Sequence, residues 1–271
     1  MDIPNEPNAP RQDRLKSMFR MALFLAGCPI ILIISGMVMP KHPGLGSLVE
    51  LGVVSVLGTI VITLLFVRWE QLRLNDVGGA IDSTSCLRLL GGFILGLLLV
   101  GLQTGLTSLA GHIHWVRSPE IAFSQAGVAL PAFLFLACRE EIAFRGYPLF
   151  RLESFFGPYW ALFLMAAVFA VEHLAGGYSW ANAWFGSAVG ALLFGMAALA
   201  TRGLAIPIGL HAAWNFGQWV LGNSEFPGLC RPVFEPGFQD RVGQTEMISY
   251  VTVMTLATFA FWRWYKRRRL E

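Results

Sequence analysis

The sequence predicts an all-α fold: a polytopic bundle of about eight transmembrane helices in a single membrane-embedded domain, residues 1–271, with both termini on the cytoplasmic side. Three observations carry this reading. The chain is 55% hydrophobic and only 14% charged, too little charge to build a soluble surface, which typically draws on about a quarter charged residues. Its apolar residues fall into runs close to the about 20 helical residues that cross a hydrocarbon core of about 30 Å. The charges collect in the short segments between those runs.

The runs follow in order. Met21–Met39 comes after a polar leader, residues 1–20, and is long for the apolar core of a signal peptide. With no small-x-small cleavage site behind it, it reads as a signal anchor. Leu51–Val67 and Leu89–Ala110 are the second and third runs, separated by the polar stretch Glu70–Leu87, which fits a short surface helix. Ile121–Cys138 is the fourth; Tyr159–Val171 is a shorter fifth that ends in Glu172-His173. Trp180–Thr201, Gly203–Gly222 and Met247–Trp262 complete the set. Between the last two, residues 223–246 form a loop holding Pro227, Pro232 and Pro236, expected to lack regular structure. The tail, residues 263–271, is basic and follows interfacial tryptophans, a pattern that grips an anionic leaflet.

Charge sets the orientation, because Lys and Arg accumulate in cytoplasmic segments. With the N-terminus inside, sixteen of the 20 Lys and Arg fall in inner segments. The outer segments hold Lys41, Arg117, Arg231 and Arg241. The net charge of +3 is thus accounted for by topology, and no nucleic-acid partner is implied. Cys28, Cys86, Cys138 and Cys230 form no CxxC pair, and only Cys230 falls in an outer loop, so no disulfide framework follows. The partner common to every span is the bilayer.

Ionisable residues inside a membrane are expensive and mark function. Most runs have none; three places do. In ACREEIAFRGYPLF, Glu141 and Arg145 stand four apart on one helical face, in the favourable Glu-before-Arg order. Glu140 points about 100° away from Glu141 and is left to face a cavity. In FAVEH, Phe169 and His173 share a face, and Glu172 is expected to face the polar boundary. In GLHAAWNF, His211 and Asn215 share a face of an otherwise apolar helix. For Glu140 and His173 to meet, the fourth helix must continue past Cys138. It is expected to start near Pro131 and run through the PLFRLES stretch, kinked at Pro148.

Taken together these three patterns, EExxxR, FxxxH and HxxxN in this order on successive helices, resemble the CAAX protease and bacteriocin-processing family, also called the Abi family, which includes the CAAX prenyl endopeptidases. The resemblance covers residues 120–222, and every motif position is intact. It implies an intramembrane endopeptidase in which Glu140 and His173 activate a water and His211 and Asn215 form an oxyanion hole. Glu141, Arg145 and Phe169 are then supporting residues. The substrate class it implies is a peptide or membrane-protein tail, lipidated or not, cut in the plasma membrane of a prokaryote. The family has also been described as zinc-dependent, and Zn²⁺ on Glu140, His173 and His211 is the alternative on the same residues. The metal-free mechanism, with no cofactor, is the one adopted, since AVEHLAG lacks the second ligand of an HExxH motif. Two other readings remain: a non-catalytic immunity or scaffold protein, and a transporter. The transporter is disfavoured because all the polar intramembrane residues lie in the second half of the chain.

Overall fold

The computed structural model describes residues 11–38 and 44–270. The leader before residue 11, Lys41 and Glu271 lie outside the described residues. Among the described residues eight α-helices make up almost all of the regular structure: α1 Arg11–Val38, α2 Leu45–Trp69, α3 Ser85–Leu109, α4 Ala126–Arg145, α5 Tyr147–Ala175, α6 Val189–Thr201, α7 Ala205–Val220 and α8 Gln239–Arg268. Among the described residues five stretches are long and apolar enough to cross a membrane: Arg14–Val38, Leu45–Trp69, Ser85–Leu109, Phe123–Ala175 and Asn182–Thr201. The fourth spans both α4 and α5. Large apolar side chains such as Ile33, Leu57, Val61, Leu98 and Phe163 stand exposed around these helices. Water would not tolerate such a continuous apolar exterior, so the chain is an integral membrane protein with that surface toward lipid.

Two segments differ from expectation. The α bundle carries one small β-ribbon, and residues 223–246 are irregular only in part. Strand β1, Ile113–Arg117, pairs antiparallel with β2, Cys230–Phe234, with Ile113 opposite Phe234 and Arg117 opposite Cys230. A two-stranded ribbon leaves one side of each strand unpaired, which is how Pro232 is accommodated. Residues 239–246 form the first turns of α8, while residues 223–229 and 235–238 are turns and irregular chain, as expected. The polar stretch after α2 holds a short 3₁₀ turn, Leu74–Val77.

The fourth helix also ends differently. It does continue past Cys138, but only to Arg145, and it does not run through PLFRLES. Gly146 makes an elbow there; a Cβ at that position would sit 2.6 Å from the Ile142 carbonyl oxygen. Pro148 is no kink. It lies in the first turn of α5, where its missing N–H costs nothing. The true break is at Gly157, whose φ of 79° and following Pro158 divide α5 into a short first segment and a long second one.

Small residues let the helices approach closely. On α2 the buried stripe Gly52, Ser55, Thr59 and Thr63 faces α4. Its hydroxyls are satisfied within α2 itself, Thr59 donating to Ser55 O at 2.7 Å and Thr63 to Thr59 O at 2.7 Å. A Cβ at Gly52 would lie 2.8 Å from Phe135 Cβ of α4. Between α3 and α7, Gly92 and Gly96 meet Gly209 and its neighbours; a Cβ on Gly96 would lie 2.7 Å from Leu210 O. Helices in lipid associate through this kind of contact, since they gain no hydrophobic driving force from each other. The result is that α2 backs α4 and α3 backs α7, and those two supported helices carry polar residues inward.

Candidate active site

Three helices deliver the site. From α4, Glu141 and Arg145 point back into the bundle, with side chains 0% and 1% exposed. Glu141 Oε1 lies 3.3 Å from Arg145 Nη1. The guanidinium lies over the ring of Phe169 at 4.3 Å, with Phe144 and Phe194 each at 5.7 Å. A cation this far from water is held by one carboxylate and three aromatic faces. Phe169 therefore serves as a shelf for Arg145, and its ring also touches that of His173 at 4.3 Å.

Glu141 has a second partner that residue spacing did not suggest. His211 Nδ1 of α7 donates to Glu141 Oε1 at 2.8 Å. The imidazole is stacked on Phe194 of α6, 4.5 Å between centroids and 14° between planes. Held on two sides, His211 turns Nε2 toward Glu140, with Oε2 at 3.6 Å. On α5, His173 Nδ1–H donates to the Phe169 carbonyl one turn earlier at 2.9 Å. Its Nε2 is thereby left to the cavity. Both imidazoles have their orientation fixed through Nδ1 by a carboxylate or a carbonyl.

Glu140 sits apart from Glu141, 19% exposed, with Arg139 Nη1 at 3.9 Å. Arg139 is 2% exposed and donates through Nη2 to Glu172 at 2.7 Å. Glu172 therefore does not simply face the polar boundary: it neutralises Arg139 and ties α5 to α4 beside Glu140. Neither Arg139 nor Glu172 was singled out from the sequence. The available signal was a buried-side arginine next to the Glu pair and an acid next to His173, but nothing in their spacing joins residues 33 apart.

A cavity of about 1000 Å³ opens in front of this arrangement, and Glu140, Phe169, His173, His211 and Asn215 line it. Glu141 and Arg145 are behind its wall. The cavity is closed on another side by the π-helical turn Asn182–Ala188, whose Gly186 carbonyl accepts from Tyr250 Oη of α8 at 2.7 Å. Its wall continues to Gln103, Gln218 and Glu246, residues the sequence reading did not pick out.

The geometry can present a carboxylate, an imidazole with a free Nε2, and a second imidazole with an amide one turn away, all to one cavity. That is enough to take a proton from water and to donate to a developing oxyanion. Among the described residues no three His, Cys, Asp or Glu side chains are arranged to hold an ion, and Nε2 of His211 is turned to Glu140 at 3.6 Å.

Residues 122–217 match the model of the type II CAAX prenyl endopeptidase Rce1-like family. The matched stretch runs from just before α4 into the end of α7 and contains Glu140, His173, His211 and Asn215. No curated protein matches the chain.

Proposed function

With α4 to α7 similar to a type II CAAX prenyl endopeptidase, we propose that the chain is an intramembrane endopeptidase that works without a metal. The observation that carries this reading is the sorting of the polar residues: Glu140, His173, His211 and Asn215 line one cavity, while Glu141 and Arg145 brace it from behind. Glu140 takes a proton from a water shared with His173, and the hydroxide adds to the scissile carbonyl carbon. The negative charge that appears on the carbonyl oxygen is met by Asn215 Nδ2–H and, when the ring carries both protons, by His211 Nε2–H. Collapse breaks the C–N bond, and the proton passes to the leaving amine through Glu140 or His173. Each donor to such an oxyanion is worth about 3–4 kcal/mol.

Glu141 keeps His211 in place and compensates Arg145, and Phe169 carries both Arg145 and His173. We place both termini inside and count eight crossings. Supporting this, Glu70 pairs with Arg151 at 2.7 Å, and Glu153 pairs with Arg202 and Arg269, so the turns holding most of the basic residues meet at one end. The β-ribbon joins the α3–α4 and α7–α8 connections at the other. The host membrane is the plasma membrane of a prokaryote, and the substrate is a peptide or membrane-protein tail.

Comparative peptidomics of membranes holding wild type or Glu140→Gln tests the reaction. A defined set of peptides left uncut in the variant is expected. Identical peptide profiles from two equally abundant, folded proteins would overturn the peptidase reading in favour of an immunity or scaffold role.

A further inference from the structure

The charge of the cavity is one-sided. Its wall holds three carboxylates, Glu140, Glu225 and Glu246, and among the described residues that line it there is no Lys or Arg. Glu140 is accounted for by Arg139 and His211. Glu246 is not part of that centre. It stands on α8 at the far wall, with Tyr250 one turn beyond it facing the same space.

Glu246 is also held ready. Asn223 Nδ2 donates to its Oε1 at 3.0 Å and to Gln218 Oε1 at 3.1 Å, and Gln218 Nε2 reaches Gln103 Oε1 at 3.4 Å. This chain of amides fixes the carboxylate across α3, α7 and α8 without neutralising it. Beside it, Trp214 and Tyr250 pack edge to face at 5.2 Å. The Tyr250 hydroxyl is committed to Gly186, which leaves the rings to the cavity. A fixed carboxylate with aromatic faces near it is a site for a cation.

The length of the wall between Glu246 and the reacting centre follows from α7. His211, Trp214, Asn215 and Gln218 line the cavity at helical spacing, so the wall from His211 to Gln218 rises about 10 Å. An extended peptide covers that in about three residues.

We infer that Glu246 is a specificity-determining residue that takes a Lys or Arg side chain of the substrate about three residues from the scissile bond. The inference rests on the peptidase reading above and names its substrate class: an internal bond near a basic residue. A free C-terminal carboxylate at the same depth meets Glu246 and Glu225 with repulsion and is disfavoured.

The test is digestion of a proteome-derived peptide library by the purified full chain in liposomes, read by mass spectrometry, with Glu140→Gln as the blank. Lys and Arg are expected to be enriched at one position two to four residues from the cut. On a peptide from that set and its Lys-to-Gln counterpart, wild type should favour the basic peptide by about tenfold in kcat/KM, mostly through KM. Glu246→Gln should bring the ratio near one, and Glu246→Lys should invert it toward acidic peptides. Glu140-dependent cleavage with no basic preference, with a preference unchanged in Glu246→Gln, or confined to bonds near a free C-terminus overturns the inference and leaves the peptidase reading standing. No Glu140-dependent cleavage at all overturns both.

Discussion

Glu141→Gln isolates what the buried ion pair does. In the native protein the carboxylate faces Arg145 at 3.3 Å and accepts from His211 at 2.8 Å, and both members of the pair are within 1% of fully buried. The amide keeps one acceptor oxygen but no charge. Breaking one side of a buried pair costs about 3–5 kcal/mol, because the remaining ion has no solvent to turn to. The retained acceptor recovers about 1 kcal/mol. The attraction between Arg145 and Phe169 is present before and after, so it offsets nothing. The expected loss is about 2–4 kcal/mol, a large share of the about 5–15 kcal/mol that holds a typical domain. At about 2–4 °C per kcal/mol for a chain of this size, Tm should fall by about 5–15 °C. The assay is thermal unfolding in one detergent at one scan rate, since such transitions are often kinetically governed. A double variant, Glu141→Leu with Arg145→Met, removes both charges and should regain most of the lost Tm while staying inactive, because His211 loses its anchor. Glu141→Gln melting within about 2 °C of wild type, or the double variant melting below it, would refute the assignment of this pair as the brace of the site.

Other expectations follow from the same geometry. Asn215→Ala removes one oxyanion donor and should lower kcat on the order of a hundredfold with KM little changed; a rise in KM alone argues against that role. Glu172→Gln leaves Arg139 without its partner at 2.7 Å; turnover should drop at least about tenfold, with Glu172→Asp restoring part of it, and wild-type kinetics in Glu172→Gln would dismiss the clamp. Chelators should leave activity intact, whereas one Zn²⁺ per chain whose removal abolishes activity and whose return restores it would reverse the metal-free mechanism. Cys230, on β2 at the end carrying the ribbon, should react with a membrane-impermeant thiol reagent added outside intact cells; labelling only after permeabilisation would invert the topology.

What could be read from the chain depended on how far apart in sequence the interacting groups lie. Glu141 and Arg145 are four residues apart, so helix geometry alone put them together. The same rule placed His211 and Asn215 on one face, and both line the cavity. Contacts between helices were silent: His211 with Glu141 lies 70 residues away and Arg139 with Glu172 lies 33 away, and no periodicity encodes either. The β-ribbon was missed because Pro232 and the surrounding Pro and Gly read as turn signals, while its strands are five residues each and far apart in the chain. The break after Arg145 was misplaced because Pro148 is the more conspicuous residue, although a proline in a first turn is harmless and the glycines at 146 and 157 do the bending.

The first three helices illustrate the limit of reading function from charged motifs. They contribute none of Glu140, His173, His211 and Asn215, yet the positions of Glu140 and His211 depend on α2 and α3. The stripe Gly52, Ser55, Thr59 and Thr63 brings α2 against α4, and Gly92 and Gly96 bring α3 against α7. A helix in lipid is not driven onto its neighbour by water, so its position is set by how closely the surfaces fit. A methyl group at Gly96 would meet Leu210 O at 2.7 Å and Ala213 Cβ at 2.7 Å, and the strain would fall on the residues flanking His211. A site in which His211 Nε2 faces Glu140 Oε2 at 3.6 Å cannot absorb a shift of about 1 Å in one wall without loss of turnover. The small residues on α2 and α3 are thus part of what makes the acidic and imidazole groups a site, although nothing about them is reactive.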